Sequence, residues 1–204
     1  MTIPDVSRRE RKKDETRQRI FRAAVDLFRE KGFEATTIDD ITERSDVAKG
    51  TFFNYFPRKD SVLGYFSDRQ LEEVEANLGA VLAGDLPVRE KLHRIYGTAA
   101  AAYSEDRELS RFILVELMSR AFSPAEESAM RWHDMTAQIL TRGIEAGEMR
   151  SDMDPLRAEA VLTGVYFATV YTWACGPDVC PSQSPSLLEE LRQRLDLVFD
   201  GLAV

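Results

Sequence analysis

Helical periodicity is the feature that most constrains the fold of this chain. One early segment spaces its apolar residues as a single helix face requires: Ile20, Ala23, Ala24, Leu27 and Phe28. Gly32 follows where a helix C-terminus favours a left-handed residue, so a first helix is predicted over about residues 14–31. Because no segment alternates apolar and polar residues as a half-buried strand does, the sequence predicts an all-α fold of about nine helices.

Capping residues mark several further helix starts. Thr37 is a good N-cap for a second helix that ends near Arg44, and a short turn separates it from a third helix over about residues 48–55. Later starts pair a capping side chain with a proline at the first helical position: Ser123-Pro124, Asp154-Pro155 and Ser184-Pro185. The sequence therefore predicts two short helices, joined by a tight turn, directly after the first long helix.

The charge of the chain is unevenly distributed. The 204 residues carry a formal net charge of −8, but residues 1–59 carry +3 and residues 60–204 carry −11. Within residues 8–22 the net charge is +5. A basic end on an acidic body is typical of a small polyanion-binding module joined to a domain with another task.

The apolar content does not indicate a membrane protein. Hydrophobic residues make up 44% of the chain and charged residues 30%, and charge interrupts every long apolar stretch, so no segment is predicted to span a bilayer. The polar, basic N-terminus lacks the apolar core of a signal peptide, so the expected compartment is the cytoplasm. There, Cys175 and Cys180 are expected to be free thiols; the alternative is a redox-sensing disulfide between them.

Residues 46–60, DVAKGTFFNYFPRKD, contain four aromatic residues in five positions. On a helix, Phe52 and Phe56 share one face, which would pack on the first two helices. The other face has little bulk and offers an ammonium, a bare backbone and a hydroxyl from Lys49-Gly50-Thr51. A short helix of this kind suits the major groove of DNA. With the preceding helix and turn it forms a helix-turn-helix, in which the second helix reads the DNA.

The stretch GFEATTIDDITERSDVAKGTFFNYFPRKDSVL resembles the DNA-binding domain of TetR/AcrR-family transcriptional regulators. The positions that match the family pattern are Gly32, Phe33, Thr36, Thr37, Ile38, Ile41, Val47, Gly50, Thr51, Phe52, Tyr55, Phe56, Lys59, Asp60 and Leu63. With the first helix, the resemblance covers about residues 14–66. It implies three parts, a basic arm (residues 1–13), a helix-turn-helix DNA-binding domain (residues 14–60) and a helical ligand-binding and dimerisation domain (residues 61–204).

The resemblance also implies roles for individual residues. Two positions at the start of the second helix correspond to phosphate contacts, Thr36 and Thr37. Contacts to base edges fall on the start of the third helix and beyond, on Lys49, Gly50, Thr51 and Asn54. Contacts to the DNA backbone follow at Phe53, Tyr55 and Lys59. The basic arm either adds phosphate or minor-groove contacts or is a solvated tail, and its basic residues are Arg8, Arg9, Arg11, Lys12 and Lys13.

Three residues depart from the family pattern within the predicted reading region. Ala48 stands where the family usually has serine, so the third helix loses its favoured N-cap side chain. Asp46 replaces a turn glycine, although aspartate tolerates a left-handed backbone better than most residues. Phe53 replaces a tyrosine whose hydroxyl would donate to a phosphate, so only a van der Waals contact with the DNA backbone is expected there.

In this family the C-terminal helices enclose an effector pocket. The aromatic residues and methionines of this region make a small apolar or aromatic effector the predicted ligand. The candidate lining residues are Tyr103, Phe112, Met118, Phe122, Trp132, Tyr166, Phe167 and Trp173. The alternative for each of them is a place in an ordinary core. His93 and His133 have no neighbours at metal-ligand spacing, so no metal site is predicted, and no cofactor either.

The last two helices resemble the dimer helices of the family. The first, over about residues 155–175, is apolar nearly all round, as a helix buried between its own domain and a partner would be. The last carries one wide apolar stripe, which a monomeric core would also explain. We expect a homodimer through these two helices, because helix-turn-helix proteins usually read two half-sites.

The leading hypothesis is a sequence-specific DNA-binding transcriptional regulator. In the family's manner it would repress transcription and release a palindromic operator when an effector binds the C-terminal domain. An enzyme is not expected, because the sequence contains no nucleophile elbow, no paired metal ligands and no glycine-rich phosphate loop. The alternatives are a helical protein-interaction adaptor and a regulator without a small-molecule effector.

Overall fold

The computed structural model describes residues 8–119, 127–176 and 186–202. Every regular element within them is an α-helix. There are nine: α1 (Arg8–Lys31), α2 (Ile38–Arg44), α3 (Lys49–Tyr55), α4 (Ser61–Ala83), α5 (Val88–Ser104), α6 (Arg107–Ser119), α7 (Glu127–Glu145), α8 (Pro155–Cys175) and α9 (Leu187–Leu202). The predicted all-α fold is confirmed. Over the same residues, no helix combines the length and the apolar content that crossing a membrane needs.

The chain divides into two compact units, Met1–Phe66 and Ser67–Val204. The N-terminal unit is built around an aromatic core to which α1, α3 and the start of α4 contribute. Phe52 and Phe56 are buried there, and the Tyr65 ring of α4 lies 5.8 Å from that of Phe56. Because these first residues of α4 belong to the N-terminal core, the unit ends at Phe66 rather than at the predicted residue 60.

The helix ends of the N-terminal unit follow the local sequence. Gly32 has φ +85° and ends α1, and Asp46 has φ +50° in the turn between α2 and α3. Thr37 caps α2 in a capping box with Asp40, whereas Ala48 caps α3 without a side-chain hydrogen bond. The departures from the family pattern at positions 46 and 48 therefore leave the helix-turn-helix intact.

Helices α5, α7, α8 and α9 form the centre of the C-terminal unit. The side of α9 that faces this core consists of Leu187, Leu191, Leu195 and Phe199. An ionic network joins α5 to α9, since Arg89 donates to Asp196 and to Asp200, and His93 Nε2 lies 2.7 Å from the Asp196 carboxylate. His93, which the sequence suggested was solitary, therefore helps to hold two helices together.

The predicted caps of the C-terminal unit lie only partly within the described residues. Asp154 caps α8 as predicted, because its carboxylate accepts the N–H groups of Leu156 and Arg157. The hydroxyl of Ser186 accepts the Glu189 N–H at the start of α9. The predicted caps Ser123-Pro124 and Ser184-Pro185 lie outside the described residues.

Cys175 lies at the C-terminal end of α8 and forms no disulfide with any described residue. Burial raises the pKa of its thiol, which disfavours the reactive thiolate. The other half of the alternative redox pair, Cys180, lies outside the described residues.

Candidate nucleic-acid interface and effector region

Helix α3 has the two faces that its sequence predicts. Phe52 is 0% exposed and its ring packs 5.8 Å from that of Phe56, which is also buried. The next residue, Phe53, is 46% exposed and meets Phe52 edge to face. The buried pair fixes the orientation of α3, and therefore also fixes the direction in which its opposite face points.

The opposite face of α3 is small at its N-terminal end and carries hydrogen-bonding groups. Lys49, Gly50 and Asn54 are exposed, and Thr51 and Tyr55 are half-buried. A Cβ added at Gly50 would meet nothing within 4 Å, and the residue has no positive φ. The protein's own packing therefore does not require glycine here, whereas the close approach of a DNA backbone or base edge would.

Lys49 forms an ion pair with a carboxylate of α2. Its Nζ lies 2.8 Å from Oδ1 of Asp39 on α2, and both side chains are largely exposed. An exposed ion pair of this kind contributes only about 0–1 kcal/mol. Asp39 therefore orients the Lys49 ammonium only weakly, and the lysine side chain stays free to change its partner.

The start of α2 carries a carboxylate where a phosphate contact is predicted. Thr37 donates its N–H to Asp40 at 2.7 Å and its hydroxyl to the same carboxylate at 2.6 Å. The ammonium of Lys31, and then these Thr37 groups, hold the pKa of Asp40 well below its usual range. A phosphate that approached Thr37 would have to replace Asp40 as the acceptor.

Thr36 does not join this surface, contrary to the prediction of a phosphate contact. Its side chain is 1% exposed, and its hydroxyl donates to the carbonyl of Gly32 at 2.8 Å. The hydroxyl thus closes the loop after α1. Sequence pattern alone could not distinguish this internal role from a contact with DNA, because the two threonines are adjacent and equally polar.

Lys59, predicted as a phosphate clamp, is engaged inside the N-terminal unit. Its Nζ donates to the carbonyl oxygens of Phe33 at 2.6 Å and Thr36 at 2.9 Å. The same ammonium lies 4.2 Å from the centroid of the Phe33 ring. Two of its three hydrogens are therefore used by the loop between α1 and α2.

The basic residues near the N-terminus belong to a helix rather than to a separate arm. Helix α1 begins at Arg8, not at about residue 14, so the last part of the predicted arm is helical. The following side chains are exposed along it: Arg8, Arg9, Arg11, Lys12 and Lys13. Arg11 lies 3.8 Å from Glu15, one turn further along. A continuous helix already supports this positive charge, so residues 8–13 are not a tail.

Four aromatic residues form a cluster in the C-terminal unit. The Tyr96 ring lies 5.2 Å from Trp132 and 5.6 Å from Tyr166, and Tyr166 lies 5.1 Å from Phe167. Burial raises the pKa of both tyrosines, so their hydroxyls stay neutral over the physiological range. Three predicted effector residues therefore meet, and Tyr96 joins them although it was not among the candidates.

The remaining effector candidates lie on α5, α6 and α8 or outside what the structure describes. Tyr103 is buried on α5 and Phe112 is half-buried on α6. Trp173 lies at the end of α8, where its carbonyl accepts a hydrogen bond from Arg107 at 2.9 Å. The side chain of Met118 and the whole of Phe122 lie outside what the structure describes.

A buried carboxylate beside the aromatic cluster escaped the sequence reasoning. Glu159 is 3% exposed, and its carboxylate accepts the hydroxyl hydrogen of Thr163 at 2.6 Å and lies 2.6 Å from Nδ1 of His133. Thr163 in turn lies within hydrogen-bond distance of the Tyr96 hydroxyl (3.0 Å) and accepts from the Trp132 indole (2.9 Å). Because the Thr163 hydroxyl donates its hydrogen to Glu159, the Tyr96 hydroxyl is the donor in its bond with Thr163.

A groove of about 250 Å³ lies between α4 and α7. Its lining combines polar and charged side chains with four apolar ones, Leu78, Leu82, Met135 and Ile139. Arg131 of α7 donates through two nitrogens to the carboxylate of Glu75 on α4, and both residues line the groove. The groove is smaller than most ligand pockets, so a sizeable effector would need α4 and α7 to separate further.

The exposed face of α3 leads to a first prediction. Thr51→Ala and Lys49→Ala should each weaken binding to a specific operator by about tenfold, because each removes a donor that can reach base edges. A gel-shift titration measures this effect, and unfolding curves should show that both variants remain folded. Thr141→Ala, the same deletion at an exposed position of α7, is the matched control. Unchanged operator affinity in both α3 variants would remove these residues from the interface.

Both parts of the chain match described families. Residues 20–65 match the bacterial regulatory proteins of the tetR family. Residues 68–201 match the C-terminal domain of TetR/AcrR family transcriptional repressors. Together these matches cover most of the chain, and both families consist of regulators rather than enzymes.

Individual relatives agree with this assignment. The transcriptional repressor KstR of Mycolicibacterium smegmatis is 29% identical over 164 residues, which are 78% of this chain and 76% of that protein. The structure of Thermus thermophilus FadR, a TetR-family repressor in complex with lauroyl-CoA, is 31% identical with a TM-score of 0.67, covering 92% of this chain and 95% of that one. Bacillus subtilis FadR in complex with stearoyl-CoA shares the fold at 23% identity, with a TM-score of 0.72 and coverage of 91% and 98%.

Proposed function

Because this chain belongs to the TetR family of DNA-binding transcriptional regulators, we propose that it binds a palindromic operator as a homodimer and releases it when a long-chain acyl-CoA binds the C-terminal unit. The face of α3 is the observation that carries the DNA-binding part. Phe52 and Phe56 anchor the helix, and its other side carries the exposed Lys49 and Gly50 and the half-buried Thr51. The regulator would work in the cytoplasm, where bacterial DNA lies.

Exposed apolar side chains on α8 and α9 support a dimer. Five of them stand on these two helices: Leu156, Val161, Tyr171, Leu188 and Leu197. The two helices also pack on each other, so their outer sides can form one continuous surface. A second copy of the chain is the partner that the palindrome requires, because a two-fold dimer places its reading helices on half-sites about 34–36 Å apart.

Leu197 is the residue whose change should test the dimer most sharply. It is 74% exposed, so Leu197→Asp should leave the monomer folded while placing a charge in the proposed interface. Sedimentation should show a monomer at micromolar concentration, and operator affinity should fall with the loss of paired half-sites.

Val115→Asp on α6 is the control for that substitution. Val115 is also an exposed apolar residue, but it lies outside α8 and α9. This variant should remain dimeric. If Leu197→Asp also remains dimeric, the proposed interface is wrong.

The acyl-CoA proposal is supported by the relative bound to lauroyl-CoA and by the chemistry of the C-terminal unit. The groove between α4 and α7 is lined in part by apolar side chains, which suit an alkyl chain. The aromatic cluster around Trp132 and Tyr166 is a second apolar region of the same unit.

Effector release requires unequal binding to two states. The acyl-CoA must bind the DNA-incompetent state more tightly, and such coupling is typically worth about 1–3 kcal/mol. Helix α4 is suited to transmit it, since its first residues belong to the N-terminal unit and the rest to the C-terminal unit. Widening the groove beside α7 would act directly on the C-terminal part of α4.

Fluorescence anisotropy of a labelled operator tests the effector class. Added lauroyl-CoA should weaken operator binding by about 5–150-fold, the range that this coupling allows. Coenzyme A alone and free laurate serve as controls for the two ends of the molecule. If lauroyl-CoA leaves operator affinity unchanged and does not bind the protein, the effector proposal fails while the DNA-binding function stands.

A further inference from the structure

We propose that Lys59 is a positioning residue for DNA binding: its ammonium holds the α1–α2 loop, and thereby the start of α2, rather than binding a phosphate itself. The inference rests on the proposed DNA-binding surface. It concerns how that surface is held in shape.

The ammonium of Lys59 lies in a site made of backbone carbonyls. It reaches the Phe33 oxygen at 2.6 Å and the Thr36 oxygen at 2.9 Å, and lies 4.2 Å from the Phe33 ring centroid. The Phe33 and Thr36 side chains are buried, and Lys59 itself is half-buried. Charge-assisted hydrogen bonds are about twice as strong as neutral ones, so this is a firm attachment.

The loop between α1 and α2 depends on this attachment. Gly32 turns the chain in a left-handed conformation, and the Thr36 hydroxyl then donates back to the Gly32 carbonyl. The Phe33 carbonyl also accepts the Thr36 N–H at 3.2 Å. Lys59 supplies the hydrogen bond to the Thr36 carbonyl, which would otherwise lose its protein partner.

The attachment reaches the DNA-facing residues through Thr37. This residue directly follows Thr36 and caps α2, the helix that carries Asp39, the partner of Lys49. On the other side, the carbonyl of Lys59 accepts the Val62 N–H in the first turn of α4. Lys59 therefore ties the start of α4 to the start of α2.

A positioning role and a phosphate contact differ in two measurable ways. A phosphate contact contributes about one unit to the salt dependence of DNA binding, whereas an internal hydrogen bond contributes none. Arginine is a good phosphate ligand, but its planar fork does not match a site in which two oxygens surround one nitrogen. Arginine at position 59 would therefore preserve a phosphate contact and would not preserve the carbonyl site.

The test compares Lys59→Met and Lys59→Arg with the unchanged protein. Both should bind operator and nonspecific DNA about 10–100-fold more weakly, with an unchanged salt slope. Hydrogen exchange of the Thr36 and Thr37 amides should become faster in both. Arg58→Met removes a neighbouring exposed charge and is the control: it should leave the exchange of these amides unchanged.

Two results would overturn the proposal. If Lys59→Arg keeps full affinity while Lys59→Met lowers the salt slope by about one unit, Lys59 binds phosphate. If the Thr36 and Thr37 amides exchange at the same rate in Lys59→Met, the loop does not depend on Lys59. The exchange experiment needs no DNA, so it remains decisive even if the unchanged protein fails to bind DNA and the proposed function falls.

Discussion

Replacing Phe52 with alanine is expected to lower the stability of the N-terminal unit by about 3–5 kcal/mol. The side chain is fully buried between Phe53 and Phe56, so its removal leaves a cavity in the core that anchors α3. A unit of this size has a small free energy of unfolding, because small domains bury a smaller fraction of their surface. Urea unfolding followed by circular dichroism should show the loss, and operator binding should fall with it.

Phe53, the residue after Phe52, provides a matched control. Phe53→Ala removes the same side chain one position later, but from the exposed face of α3. Its cost in stability should be no more than about 1 kcal/mol, most of it from the edge-to-face contact with Phe52. Equal destabilisation by the two substitutions would contradict the two-faced description of the helix.

Replacing Glu159 with alanine is expected to destabilise the C-terminal unit by about 3 kcal/mol. The carboxylate bonds both Thr163 and His133, and its loss leaves the buried Thr163 hydroxyl without that acceptor. Thr163 also forms hydrogen bonds with Tyr96 and Trp132, so the change weakens a network that includes these two side chains. Thermal unfolding at neutral pH measures the effect.

An exposed glutamate and a double variant make this second prediction specific. Glu145→Ala, the same change at an exposed position of α7, should alter stability by no more than about 0.5 kcal/mol. The double variant Glu159→Ala with His133→Ala should lose less than the sum of the single losses, because both changes remove the same hydrogen bond. Additive losses would show that the two residues do not act as a pair.

The fold follows from the sequence because helix faces and helix ends are local features. Gly32, Thr37 and Asp154 do what their residue types predict, and Asp46 adopts the left-handed backbone that the turn demands. The unit boundary and the start of α1 are less local. Whether α4 contributes to the first core depends on where Tyr65 packs, and periodicity does not contain that information.

The candidate site is predictable only in part, for a physical reason. The exposed face of α3 follows from residue spacing, because Phe52 and Phe56 fix its orientation. Thr36 and Lys59 are polar residues that the fold turns inward toward carbonyls, and a polar residue type does not reveal its partner. Glu159 was missed for the same reason, since its place on an apolar helix gives no sign of His133, which lies on a different helix.

The selection of DNA from a random pool, bound to the 204-residue protein, tests the central claim most directly. The account predicts an enriched palindrome whose two half-sites lie about one helical turn, or a multiple of it, apart. That single product would follow from a reading helix on each of two symmetric copies. Failure to enrich any sequence, or enrichment of one unpaired half-site by the unchanged protein, would contradict the account.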